Sequence, residues 1–80
     1  MTRSNEPPLA EYVKSSLERY LADLNGERPC ALYDFVVREV EVPLLEVVMH
    51  HANSNQTRAA EMLGINRNTL RKKLKSYGLC

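Results

Sequence analysis

Leu9, Tyr12, Val13, Leu17, Tyr20, Leu21 and Leu24 recur along the chain at steps of three and four. Side chains at that spacing stack on one side of a helix with 3.6 residues per turn. The pattern therefore predicts an amphipathic α-helix with a single apolar stripe. Asn25-Gly26 closes it, because glycine accepts the left-handed backbone that ends helices. Residues 27–31, which include Pro29, form the connection to the next element. Residues 1–8 are polar and predict a disordered tail, with Pro7-Pro8 fixing the approach to the first helix.

The next apolar run, from Leu32 to His51, is too rich for one face. At about 100° per residue, Val36, Val47, Val40, Tyr33, Leu44, Val37 and Val48 fall in one arc, and Phe35, Val42 and Met49 in a second. Glu39 and Glu46 separate the arcs on one side, and Asp34, Arg38 and Glu41 on the other. A helix buried from two directions needs two neighbours. The first helix supplies one, and in so short a chain a second copy is the simplest source of the other. Pro43 removes one backbone hydrogen bond and predicts a kink there; two separate helices meeting at Pro43 are the alternative. An 80-residue chain makes a thin core, which again points to a partner subunit.

Ala52-Asn53-Ser54-Asn55 marks a break, and Ser54 or Asn55 can cap the helix beyond it. Two short helices are predicted there, over about 56–63 and 67–77, with Gly78 stopping the second. Gly64-Ile65-Asn66 joins them into a helix-turn-helix. Ala59 and Ala60 are small enough for a close helix crossing. Leu63, Ile65, Leu70 and Leu74 fill the wedge behind it, Gly64 permits the positive φ of the tight turn, and Met49 and Met62 read as core. The fold class is thus all-α with four helices. The organisation is a tail over 1–8, dimerisation helices over 9–54 and a helix-turn-helix unit over 55–80.

Charge sharpens the picture. Residues 1–54 carry five basic and nine acidic side chains, a net of −4; residues 55–80 carry six basic and one acidic, a net of +5. An acidic body with a basic end suits a polyanionic partner, although a merely solvated basic helix would look the same. On the last helix, Leu70, Leu74 and Tyr77 form the inward stripe, and polar and basic residues occupy the rest. Recognition helices present their N-terminal residues to base edges. Arg67 is the candidate for guanine, with a fork that matches O6 and N7, and Asn66 for adenine. Lys72, Lys73, Lys75 and Thr69, with Asn55 and Thr57 at the start of the third helix, suit phosphates; Arg71 suits either surface.

The segment NQTRAAEMLGINRNTLRKKLKSYGL (residues 55–79) resembles the DNA-binding end of the Fis family of bacterial nucleoid proteins. The similarity continues upstream through YLADLNG (residues 20–26) and LYDFVVREVEVPLLEVVM (residues 32–49). The resemblance implies an intertwined homodimer core and two recognition helices presented to successive major grooves. It also implies loose sequence preference, DNA bending, and roles in chromosome organisation and transcriptional control. By position it implies DNA contacts at Asn55, Thr57, Asn66, Arg67, Thr69, Arg71, Lys72 and Lys73. Three departures stand out. The chain begins about one turn before the first helix, so the N-terminal arm of the inversion-stimulating members is expected to be missing. Asn53 stands where those members carry a basic residue that meets flanking DNA, and Asn68 where they carry glycine. The same helix-turn-helix also ends enhancer-binding activators of the NtrC type, and a pure dimerisation module is a third reading.

Other chemistry is poorly supported. Cys30 and Cys80 lack metal-ligand spacing and read as ordinary thiols. Adjacent His50 and His51 do not share a helix face and read as cations near a helix C-terminus. No nucleophile–base set or phosphate loop is visible, so no enzyme activity, cofactor or metal is expected. Without a signal peptide or a spanning apolar run, no membrane is expected, and a cytoplasmic, nucleoid-associated location is. The expected partners are double-stranded DNA, a second copy of the chain, and the transcription machinery.

Overall fold

The computed structural model describes residues 8–79. It has four helices: α1 (Leu9–Asp23), α2 (Leu32–His51), α3 (Gln56–Leu63) and α4 (Arg67–Ser76), with no strand among the described residues. The all-α, four-helix architecture expected from the apolar periodicity is therefore the one observed. Except for Pro8, the predicted tail lies outside the described residues, as does Cys80; Cys30 is an exposed free thiol. The chain divides between residues 32 and 33 into two units.

The first unit is α1 and its flanks. Pro8 stands at the N-cap with φ −59° and ψ 155°, the restricted φ of its ring, and its carbonyl accepts the Glu11 amide at 2.9 Å. The stripe is present: Val13, Leu17, Tyr20 and Leu24 are half-buried, but no residue of α1 is fully buried. Leu9, at 73 % exposure, and Tyr12, at 56 %, lie open on the same helix. Asn25 and Gly26 both take positive φ, 56° and 85°, and turn the chain out of α1 as the Asn-Gly pair predicts.

In the second unit α2 runs unbroken through Pro43, so the alternative of two helices is not realised. The buried core consists of Leu45, Val48 and Ala52 from the end of α2 and the turn after it, Ala59 and Ala60 from α3, and Leu70 and Leu74 from α4. Met49, Leu63, Ile65, Tyr77 and Leu79 pack around it. Leucines supply the volume and alanines the close approach. With no side chain beyond Cβ at 52, 59 and 60, the helices can cross tightly around Leu45, Leu70 and Leu74.

Two features differ from the sequence expectation. Leu45 and Val48 form the packed face of α2, continued by Ala52 in the turn beyond it, whereas Leu45 belonged to neither predicted arc. One turn earlier the same face carries Glu41, expected as a separator between the arcs; it is half-buried and fully engaged. The character of that face thus changes along the helix, polar before Pro43 and apolar after it, and averaging over all of α2 concealed this. Met62, expected in the core, is 54 % exposed. It lies about 100° round α3 from the middle of the buried Ala59, Ala60 and Leu63 side.

Candidate nucleic-acid interface

The geometry of α3 and α4 is set by their end residues. Asn53 and Ser54 take positive φ, 54° and 65°, and reverse the chain after α2. Asn55 is the N-cap of α3, its Oδ1 accepting the Arg58 amide at 3.1 Å. At the other end Gly64 adopts φ 74° and ψ 29°. The Ile65 amide donates to the Ala60 carbonyl at 3.1 Å and the Gly64 amide to the Glu61 carbonyl at 3.2 Å. These are the paired bonds of a Schellman ending, and they drop Ile65 onto the core. Asn66 then caps α4, its Oδ1 accepting the Asn68 amide at 2.7 Å. Loss of such a cap costs about 1 kcal/mol. The turn between the helices is therefore held by local hydrogen bonds at both ends, and it fixes where α4 begins.

Burial of Leu70 and Leu74, both 0 % exposed, then fixes which side of α4 looks outward. Asn68, Arg71, Lys72 and Lys75 line one surface depression on that outer side. Arg71, Lys72 and Lys75 were expected to meet DNA; Asn68 was not among the expected contacts. Its signal in the sequence was the helical repeat itself, since 68, 71, 72 and 75 are spaced by three, one and three. At the start of the two helices, Arg67 Nη1 donates to Thr57 Oγ1 at 3.4 Å. The structure thus brings Arg67 and Thr57 together, both exposed. A guanidinium has a fork of N–H donors, and this contact engages only one of its nitrogens. Thr69 is exposed.

The expected adenine partner, Asn66, has a constraint that the sequence did not reveal. Bidentate pairing with adenine needs both the amide oxygen and the amide nitrogen. The oxygen already accepts the Asn68 amide, so one of its two lone pairs is committed to the cap. Lys73 differs more sharply. Its Nζ lies 2.8 Å from Glu41 Oε2 on α2, an ion pair of which the two side chains are 36 % and 20 % exposed. Tyr77 donates its hydroxyl to the other oxygen, Glu41 Oε1, at 2.5 Å. The Arg38 guanidinium lies over the Tyr77 ring, 5.3 Å from its centre. Hydrogen bonds from Lys73 and Tyr77 hold the Glu41 carboxyl below its ordinary range. The same carboxylate raises the Lys73 ammonium and the Tyr77 phenol.

Among the described residues no group of His, Cys, Asp and Glu side chains is arranged to hold a metal ion. No helix among them is long and apolar enough to cross a membrane. The arrangement is instead one of shape and charge. A short capped helix is crossed by a second whose exposed side is cationic and amide-rich, with the two joined by a three-residue turn. That is a helix-turn-helix protein. Residues 36–77 match the family model for "Bacterial regulatory protein, Fis family". Two curated relatives named "DNA-binding protein Fis" illustrate the match. The one from Mannheimia haemolytica is 58 % identical over 72 residues, covering 90 % of this chain and 74 % of the relative. The one from Vibrio cholerae is 57 % identical over 74 residues, covering 92 % and 76 %. The chain belongs to the Fis family of bacterial regulatory proteins.

Proposed function

We propose that this chain binds duplex DNA as a homodimer, with α4 of each copy in a major groove. It binds with low sequence preference, bends the duplex, and acts as a cytoplasmic, nucleoid-associated regulator of transcription rather than as an enzyme. The observation that carries DNA binding is the outer side of α4. Asn68, Arg71, Lys72 and Lys75 converge there, and no acidic residue occurs anywhere in the helix. A cationic helix displaces condensed counterions from the phosphates, which supplies affinity without reading sequence. The relatives' name, DNA-binding protein, supports the same reading. Asn55 and Thr57 at the start of α3, with Thr69, Arg71 and Lys72, meet phosphates, and Asn66 donates alongside them. Arg67 reads a guanine.

The homodimer rests on α2. Tyr33, Val37, Val40, Leu44 and Val47 fall in one arc and are between 37 % and 80 % exposed in the single chain. Covering each such side chain stabilises by roughly 1.5–3 kcal/mol, and a two-fold pair of copies covers the arc with itself. Residues 9–54 are then the dimerisation segment. Two recognition helices on one rigid dimer bend the duplex whenever their separation differs from the ~34 Å helical turn. Contact with the transcription machinery would use surfaces left outside both interfaces.

The test is fluorescence anisotropy of a labelled duplex titrated with the chain at low and at physiological salt, with sedimentation equilibrium alongside. The expected result is twice the chain mass and an affinity that falls steeply with salt. A folded monomer at micromolar concentration would remove the dimer. Salt-independent binding, or none, would remove the DNA-binding role.

A further inference from the structure

We infer that Glu41 is a positioning residue for the recognition helix, and that Lys73 serves it as an internal partner rather than serving DNA as a phosphate ligand. The inference rests on the DNA-binding reading above. Three observations carry it. First, Lys73 lies about 150° round α4 from the middle of the outer side formed by Asn68, Arg71, Lys72 and Lys75, facing α2, where its ammonium meets Glu41 at 2.8 Å. Second, Glu41 has a second donor of its own, Tyr77, one turn further along the chain from Lys73. A carboxylate that takes one donor on each oxygen, from residues four apart, grips the end of that helix at two points. Third, Arg38 covers the Tyr77 ring from α2, so two residues of α2 hold the end of α4.

Position gives this grip its consequence. The start of α4 is fixed by the Gly64 turn and the Asn66 cap, and its middle by Leu70 and Leu74. Apolar contacts are non-directional and allow a short helix to pivot about them. The Glu41 contacts are directional and lie at the far end, near 73 and 77, where they have the longest lever over the angle of α4. Because α2 also carries the arc assigned to dimerisation, the angle of α4 on α2 sets the separation of the two recognition helices. The charged part of the grip is partly exposed, so its value lies in geometry more than in stability.

Two roles for Lys73 predict different readouts. A phosphate ligand contributes about 0.9 to the magnitude of the log–log salt slope, hence about 1.8 per dimer. A positioning residue contributes nothing to the slope and instead narrows the spacing of the two half-sites. The experiment compares the wild-type chain with Lys73→Gln, Glu41→Gln, Tyr77→Phe, the swap Glu41→Lys with Lys73→Glu, and Lys72→Gln as a phosphate control. Circular dichroism checks each for folding, with Lys73→Arg as a conservative variant that retains the pair. Salt slopes come from anisotropy, and half-site spacing from selection of bound duplexes out of a random pool.

The expected result is that Lys72→Gln flattens the slope by about 1.8 while Lys73→Gln leaves it unchanged. Glu41→Gln, Lys73→Gln and Tyr77→Phe should each broaden the selected spacing, and the swap and Lys73→Arg should restore a single spacing. A slope that falls as far in Lys73→Gln as in Lys72→Gln, with spacing unaltered in Glu41→Gln, overturns the inference. If the wild type shows no salt-dependent binding at all, the DNA-binding reading fails instead, and the two failures are told apart by the wild-type titration.

Discussion

Leu44 and Leu45 are adjacent in sequence and identical in chemistry, yet the structure gives them opposite work. Leu45 is 1 % exposed and sits in the core with Ala52, Ala59 and Ala60; Leu44 is 45 % exposed and lies in the arc assigned to dimerisation. Leu45→Ala should destabilise the fold by about 3–5 kcal/mol, the upper part of the range for leucine truncation, because neighbouring alanines have no side chain able to swing into the space. Against a total of roughly 4–12 kcal/mol for a chain of this size, that is a large fraction. Leu44→Ala should barely disturb the subunit's core but weaken association. Two side chains are lost per dimer, each covered only in part by its own chain, so the cost is about 2–4 kcal/mol. That corresponds to a dimer Kd about 30- to 700-fold weaker. Urea unfolding at two protein concentrations separates the effects, since a dimer's midpoint depends on concentration. Sedimentation equilibrium reads the Kd directly. The reasoning is refuted if Leu44→Ala lowers the midpoint equally at both concentrations, or if Leu45→Ala costs under about 1 kcal/mol.

The turn, the base-reading residue and the Glu41 cluster each carry an expectation of their own. A methyl group on Gly64 would meet nothing within 4 Å, so Gly64→Ala should cost only the left-handed backbone penalty of about 1–2 kcal/mol, and Gly64→Asn less, both measured by thermal unfolding. Arg67→Ala should abolish the guanine preference at each end of a selected site, worth about 1–3 kcal/mol per contact, while non-specific binding persists. Unchanged guanine enrichment would make Arg67 a positioning residue. Acid titration should also bear on Glu41. Its carboxyl is held below the ordinary 4.5 when folded, so its contribution is complete above that pH and is lost as pH falls through the lowered value. Tyr77 and Lys73 are raised from 10.0 and 10.5, so their contributions are complete below those values and fade as pH rises past them. Unfolding midpoints of Glu41→Gln, followed from neutral pH into acid, should fall less steeply than those of the wild type.

The four helices and their ends were legible in the sequence because each is specified locally. Steps of three and four mark the apolar sides, and the caps at Asn55 and Asn66 and the turn at Gly64 depend on residues two to five apart. The cationic side of α4 was legible for the same reason, since helical periodicity converts spacing into a common face. The family was legible in the segment 55–79 and is the family the chain belongs to. What the tertiary structure alone decided is which side of α2 meets the helix-turn-helix. Leu44 and Leu45 are both leucines on one helix, and only the packing of α3 and α4 against the second distinguishes core from outer surface. The contacts between Glu41, Lys73 and Tyr77 span 32 and 36 positions of sequence, so no local pattern marks them. A lysine in a basic run reads as a phosphate ligand from composition. Only the fold shows a carboxylate 2.8 Å from it, because the strength of a charge pair depends on a distance that sequence separation does not encode.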